Sequence, residues 1–120
     1  MATVKMWRIR GRFTSDDQLQ APWDYVKGRQ LKCRGVRFIL HRRADGSKGY
    51  TLTEPITGLK VCTVGRAKDA GAMAERTRDA VAKAVQAMWD DGALTECANE
   101  MTHDEYEALC CGVFGKGVQA

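Results

Sequence analysis

Residues 36–65 read VRFILHRRADGSKGYTLTEPITGLKVCTVG, and this stretch decides the fold. Val36, Phe38 and Leu40 alternate with Arg37, His41 and Arg43, Ile39 being the one apolar residue out of phase. A period of two predicts a half-buried strand over 36–43. Ala44-Asp45-Gly46-Ser47 follows, and its Asp-Gly is a strong hairpin signal, because the favoured tight turns need positive φ at their central residues. The returning strand, about 49–54, places Tyr50 and Leu52 on one side and Thr51 and Thr53 on the other. Pro55-Ile56-Thr57-Gly58 is a second turn, and a third strand over 59–64 stops at Gly65. The period then changes. Over 67–90, Met73, Thr77, Val81, Ala84, Val85 and Met88 recur at spacings of three and four, opposite Glu75, Arg76, Asp79, Lys83 and Gln86, which predicts one long amphipathic helix stopped near Gly92.

Outward from this block, residues 4–13 alternate again. Trp7, Ile9 and Phe13 fall on one side, Arg8, Arg10 and Arg12 on the other. Residues 14–35 carry no clear period and read as irregular. Ser15-Asp16-Asp17 and Pro22 interrupt any strand, while Trp23 and Tyr25 would anchor the segment and Arg29, Lys32 and Arg34 make its end basic. On the C-terminal side, an apolar turn near 93–98 precedes Thr102-His103-Asp104-Glu105. That tetrapeptide has capping-box form and starts a short helix over 103–111.

The fold class that follows is α+β, a single domain over 1–120. It has a three- or four-stranded antiparallel sheet, one long helix packed on a face, and one or two short C-terminal helices. With the helix on the apolar side, Arg8, Arg10, Arg12, Arg37, His41 and Arg43 would line the other side, with Lys48 near the hairpin tip.

Composition sharpens this reading. Leu, Ile, Val and Phe number only 22 of 120 residues while Ala numbers 15. The core is therefore thin and a homodimer is a natural way to complete it. No apolar run is long enough to span a membrane, and the first residues lack the apolar core of a secretory signal. Five cysteines, odd in number and without a Cys-x-x-Cys pair, fit free thiols. A cytoplasmic protein, within a host cell, is expected.

The net charge of +4 conceals a division. Residues 1–48 hold 12 Lys/Arg against 4 Asp/Glu, and residues 49–120 hold 7 against 11. Alternating arginines on neighbouring strands would build a flat positive surface for phosphates or for an acidic protein, and Trp23 and Tyr25 would add stacking. A solvated, edge-protecting sheet face is the competing account. The acidic stretch 90–107 reads as intramolecular neutralisation and helix-end charge, with imitation of DNA phosphates toward an inhibitor's target as the alternative.

Enzymatic motifs are lacking. The glycines sit at turns rather than in a phosphate loop. Cys97, His103 and Cys110 or Cys111 have spacings unlike those of closed zinc sites, so a thiol or zinc-dependent enzyme is the third alternative. No cofactor and no metal are expected.

The layout of VRFILHRRADGSKGYTLTEPITGLKVCTVG and the helix after it, three strands joined by an Asp-Gly and a Thr-Gly turn, resembles the arm-type DNA-binding domain of tyrosine integrases. In size, charge segregation and lack of catalytic motif, the chain is also similar to small anti-CRISPR inhibitors of phages. These resemblances imply a non-enzymatic binding protein of a phage or mobile element. It would block a host nucleoprotein defence complex sterically and electrostatically through Arg8, Arg10, Arg12, Arg37, His41, Arg43 and Lys48, or else bind DNA directly through the same face.

Overall fold

The structure, a computed structural model, describes residues 4–10, 23–43 and 46–116. Five strands, β1 (Val4–Arg10), β2 (Trp23–Cys33), β3 (Val36–Arg42), β4 (Tyr50–Thr53) and β5 (Lys60–Val64), form one antiparallel sheet in sequence order. A 3₁₀ turn (Ala67–Asp69) leads into the long helix α1 (Ala70–Asp90), and the short helix α2 (His103–Cys110) follows. The fold class is the expected α+β, with a helix on the sheet. No helix among the described residues is long and apolar enough to cross a membrane.

The fifth strand is β2, which occupies much of the stretch read as irregular. It joins β3 through Arg34 (φ 44) and Gly35 (φ 85). Positive φ at both central residues is the turn that matches the right-handed twist of a hairpin. Arginine is an unusual occupant of that backbone, and three contacts hold it there. Its guanidinium pairs with Glu75 at 2.9 Å and Asp79 at 3.4 Å, and its carbonyl accepts from Arg78 Nη2 at 2.8 Å. The expected Asp-Gly turn falls partly on Ala44 and Asp45, outside the described residues. Gly46 and Gly49 beside them both have positive φ.

Val36, Phe38 and Leu40, with Leu52 and Val64, face α1 and form the main core with Ala70, Ala74, Ala82, Val85, Leu109 and Phe114. The helix contributes alanines and Val85 to this layer, and the layer's large side chains come from the strands and from Leu109 and Phe114. The inward stripe is rotated from the expected one. Ala84 is exposed, whereas Arg78 and Gln86 are buried. Arg78, 1% exposed, also reaches the Phe114 carbonyl at 3.3 Å, and Gln86 donates to the Leu109 carbonyl at 3.1 Å. Each buried polar head thus meets a carbonyl near the C-terminal end, as burial of such groups requires.

The sheet's second face is also covered. Trp7, Ile9, Ile39 and Ala98 are buried there. The Trp7 indole lies across Gly28, donating to its carbonyl at 3.0 Å. The β4–β5 turn comes round to the outer edge of β1, where Arg10 N donates to Gly58 O at 2.9 Å. Asn99 closes the same edge: its Oδ1 accepts from Arg8 N, and its Nδ2 donates to the Arg8 and Pro55 carbonyls, all at 2.9 to 3.0 Å. Thr102 caps α2 with the expected reciprocal bonds to Glu105.

Candidate functional site

The register divides the expected basic face between two sides of the sheet. Arg8 is opposite Tyr25, and Arg29 is opposite Leu40. Alternation therefore puts Arg8 and Arg10 on the side of Val36, Phe38 and Leu40. Trp7 is opposite Val26 and Gly28 is opposite His41, so Arg37 and His41 share the side of Trp7 and Ile9. A one-residue difference in parity exchanges every side chain between faces, and the two arginine rows never meet.

Arg37 and His41 are interior groups, which corrects their assignment to a contact surface. Arg37 Nη2 pairs with Glu105 Oε1 at 2.7 Å, with the two side chains only 6% and 3% exposed. It also donates to the Glu100 carbonyl at 2.9 Å. The His41 ring sits between the Arg42 carbonyl at 2.7 Å and Thr53 Oγ1 at 2.8 Å. Burial holds the His41 pKa below its usual value, and the bond to the Arg42 carbonyl opposes that shift only in part. The segment that carries Ala98, Glu100 and Glu105 is what closes this face. Arg12 lies outside the described residues, Arg43 is half-buried, and Lys48 is exposed.

Arg8 and Arg10 stand on the other side, where α1 does not reach. The helix packs on β2, β3 and β5, and on β2 it is Leu31 and Cys33 that join the core, so β1 and the first part of β2 extend past it. Across that ribbon Val4 pairs with Arg29, Met6 with Lys27, Arg8 with Tyr25, and Arg10 with Trp23. Val4, Met6 and Tyr25 are 60%, 53% and 60% exposed. Lys27, Arg29 and, on β3, Arg42 are exposed as well. Arg8 is fixed by the Ala98 and Cys97 carbonyls, and Arg10 Nε donates to the Thr57 carbonyl at 3.0 Å. Their guanidiniums lie 4.6 and 4.8 Å from the Trp23 ring centroid, and that of Arg42 lies 5.5 Å from Tyr50.

On this face of the ribbon the charged side chains of the described strand residues have one sign. Arg8, Arg10, Lys27, Arg29 and Arg42 share the face, and no carboxylate of the described parts of β1, β2 or β3 joins them. The sole acid there, Asp24, falls on the opposite side and accepts from Tyr25 N at 2.9 Å. Lys27 and Arg29 form no ion pair with a described residue. Arg8 has a distant partner in Glu96 at 3.7 Å. In the sequence, Trp23, Tyr25, Lys27, Arg29, Leu31 and Cys33 do alternate with period two. Only the last two pack against the core, so hydrophobicity gave no sign of the strand.

Cys110 does not assemble with His103. His103 and Cys110 are seven residues apart on α2, about 10 Å at 1.5 Å per residue. His103 pairs instead with Glu107 at 3.1 Å. Among the described residues no three His, Cys, Asp or Glu side chains are grouped to hold a metal ion. No family model, no curated protein and no solved structure matches the chain.

Proposed function

We propose that the chain is a non-enzymatic binding protein that lays the β1–β2 ribbon on a polyanionic partner, nucleic acid either free or within a nucleoprotein complex. The observation that carries this reading is the single-sign face of Arg8, Arg10, Lys27, Arg29 and Arg42 around exposed Tyr25. Phosphate contacts use cations at short, regular spacing, and a strand supplies that spacing at about 6.6 Å between same-face neighbours. Arg8 and Arg10 carry over from the expected contact set. Lys27, Arg29 and Arg42 take the places of Arg37 and His41. Steric and electrostatic occlusion of a host defence complex is the biological setting that the resemblance to phage inhibitors implies.

The test is binding of the purified chain to nucleic acid across a salt series. Affinity should fall steeply with salt, and Lys27→Glu and Arg29→Glu should each lower the log–log slope by about 1. Absence of binding both to free nucleic acid at low salt and to any assembled nucleoprotein complex would reject the reading. Tight capture of an assembled nucleoprotein complex, weakened by the same variants, would support its inhibitor form.

A further inference from the structure

We infer that the ligand of the ribbon is single-stranded nucleic acid, seated with a base on the Tyr25 ring and its phosphates along Lys27, Arg29 and Arg42. This rests on the polyanion reading above and narrows it.

The face is not uniformly charged. Tyr25 lies in line with Lys27 and Arg29 on β2, while exposed Val4 and Met6 run beside those cations on β1. Same-face neighbours on a strand are about 6.6 Å apart, and adjacent strands about 4.8 Å apart. Tyr25 to Arg29 therefore spans about 13 Å along the strand. Continuing the β2–β3 register places Arg42 beside Lys27, which makes the cationic end of the track two strands wide.

The two aromatic residues have different roles. Trp23 is engaged by two guanidiniums, one of them held rigidly by the Ala98 and Cys97 carbonyls. Tyr25 has no ring partner among the described residues, so its face is open to a base. A duplex offers this surface phosphate rails but keeps its base faces stacked inside. It would cover Val4, Met6 and Tyr25 with charged backbone and gain nothing from them. A single strand offers both: its phosphates meet the cations, and its unstacked bases meet the ring and the apolar strip. Stacking of this kind tolerates any base, which fits a face on which the described residues of β1, β2 and β3 place no side-chain amide or carboxylate to read base edges.

The experiment measures fluorescence anisotropy of a labelled oligothymidylate and of a duplex of equal length, titrated with the full chain at low and moderate salt. The single strand should bind more tightly. Tyr25→Ala should weaken single-strand binding by roughly 5- to 150-fold, the worth of one stacked base, and leave duplex binding and Tm unchanged. Tyr25→Phe should retain wild-type affinity. Lys27→Glu should weaken both ligands. Equal binding of the duplex, or a Tyr25→Ala chain that binds the single strand like wild type, would overturn the single-strand assignment while leaving the polyanion reading in place. No binding of either free ligand at low salt would overturn the single-strand assignment and confine the polyanion reading to its nucleoprotein form.

Discussion

Neutralising Glu105 should cost this protein a large part of its stability, although the residue lies on no binding surface. Its carboxylate is the counter-ion of Arg37 at 2.7 Å, and both side chains are nearly inaccessible. Glu105→Gln is the informative change, since glutamine still accepts the Thr102 N–H at the cap. What it removes is charge, leaving the Arg37 guanidinium buried against an amide. Breaking a buried pair by removing one partner costs about 3–5 kcal/mol, against a total of about 5–15 kcal/mol for an ordinary domain. An unfolding entropy of about 2.1 cal/mol/K per residue over 120 residues converts this to a Tm lower by about 12–20 °C. Urea unfolding followed by circular dichroism reads the free energy, and a thermal scan reads the midpoint. Arg37→Met should be destabilising for the mirrored reason. The double variant Arg37→Met/Glu105→Gln, which buries no net charge, should recover most of the loss, a coupling of about 2–3 kcal/mol. If Glu105→Gln unfolds within about 0.5 kcal/mol of wild type, or if Arg37→Met keeps its Tm but loses nucleic-acid affinity, Arg37 is a surface contact and the interior assignment is wrong.

Three further outcomes are expected. His41 is held neutral by burial, so the unfolded chain takes up the proton first. Stability should be complete above the ordinary histidine pKa of 6.5 and should decline as pH falls below it toward the lowered folded value; a His41→Gln variant should show a shallower decline in urea titrations between neutral and mildly acidic pH. Gly28→Ala should destabilise by about 1–3 kcal/mol in the same assay, because a Cβ there would meet Ile39 Cγ2 at 2.8 Å and the Leu40 carbonyl at 2.9 Å. With a maleimide near neutral pH, Cys110 and Cys111 should be labelled first in mass spectrometry, since both are exposed. Cys33, Cys62 and Cys97 are partly buried with thiol pKa values pushed up by desolvation.

The elements that the sequence made legible are those whose local chemistry suffices. Val36, Phe38 and Leu40 alternate and are buried together. The backbone turns at Gly58 with φ 74. The helix of 67–90 forms as a 3₁₀ turn followed by α1, and the Thr102–Glu105 box caps α2 as expected. β2 was illegible for an energetic reason. On the face it shares with Phe38 and Leu40 only Leu31 and Cys33 pack on the core, and its turn uses Arg34 where the backbone favours Asn, Asp or Gly. Arg78 and Gln86 were likewise hidden, because an arginine or glutamine on a helix reads as solvent-facing until carbonyls are brought within reach of it.

The sequence by itself determined the period-two strands, the single long helix, the capped C-terminal helix and the concentration of positive charge in the first half of the chain. Alternation fixes which side chains of a strand share a face. It does not fix which of the two faces meets water, because that depends on the register with the neighbouring strand and on what packs above. Tertiary structure made that choice. The β2 register set Arg8 and Arg10 against Arg37 and His41, and the segment bearing Ala98, Glu100 and Glu105 closed over the second pair. The end of α1's coverage left Tyr25, Lys27 and Arg29 in the open. The closure over Arg37 rests on a contact between residues far apart in the chain, where burying a charge is tolerable only if a partner such as Glu105 arrives with it.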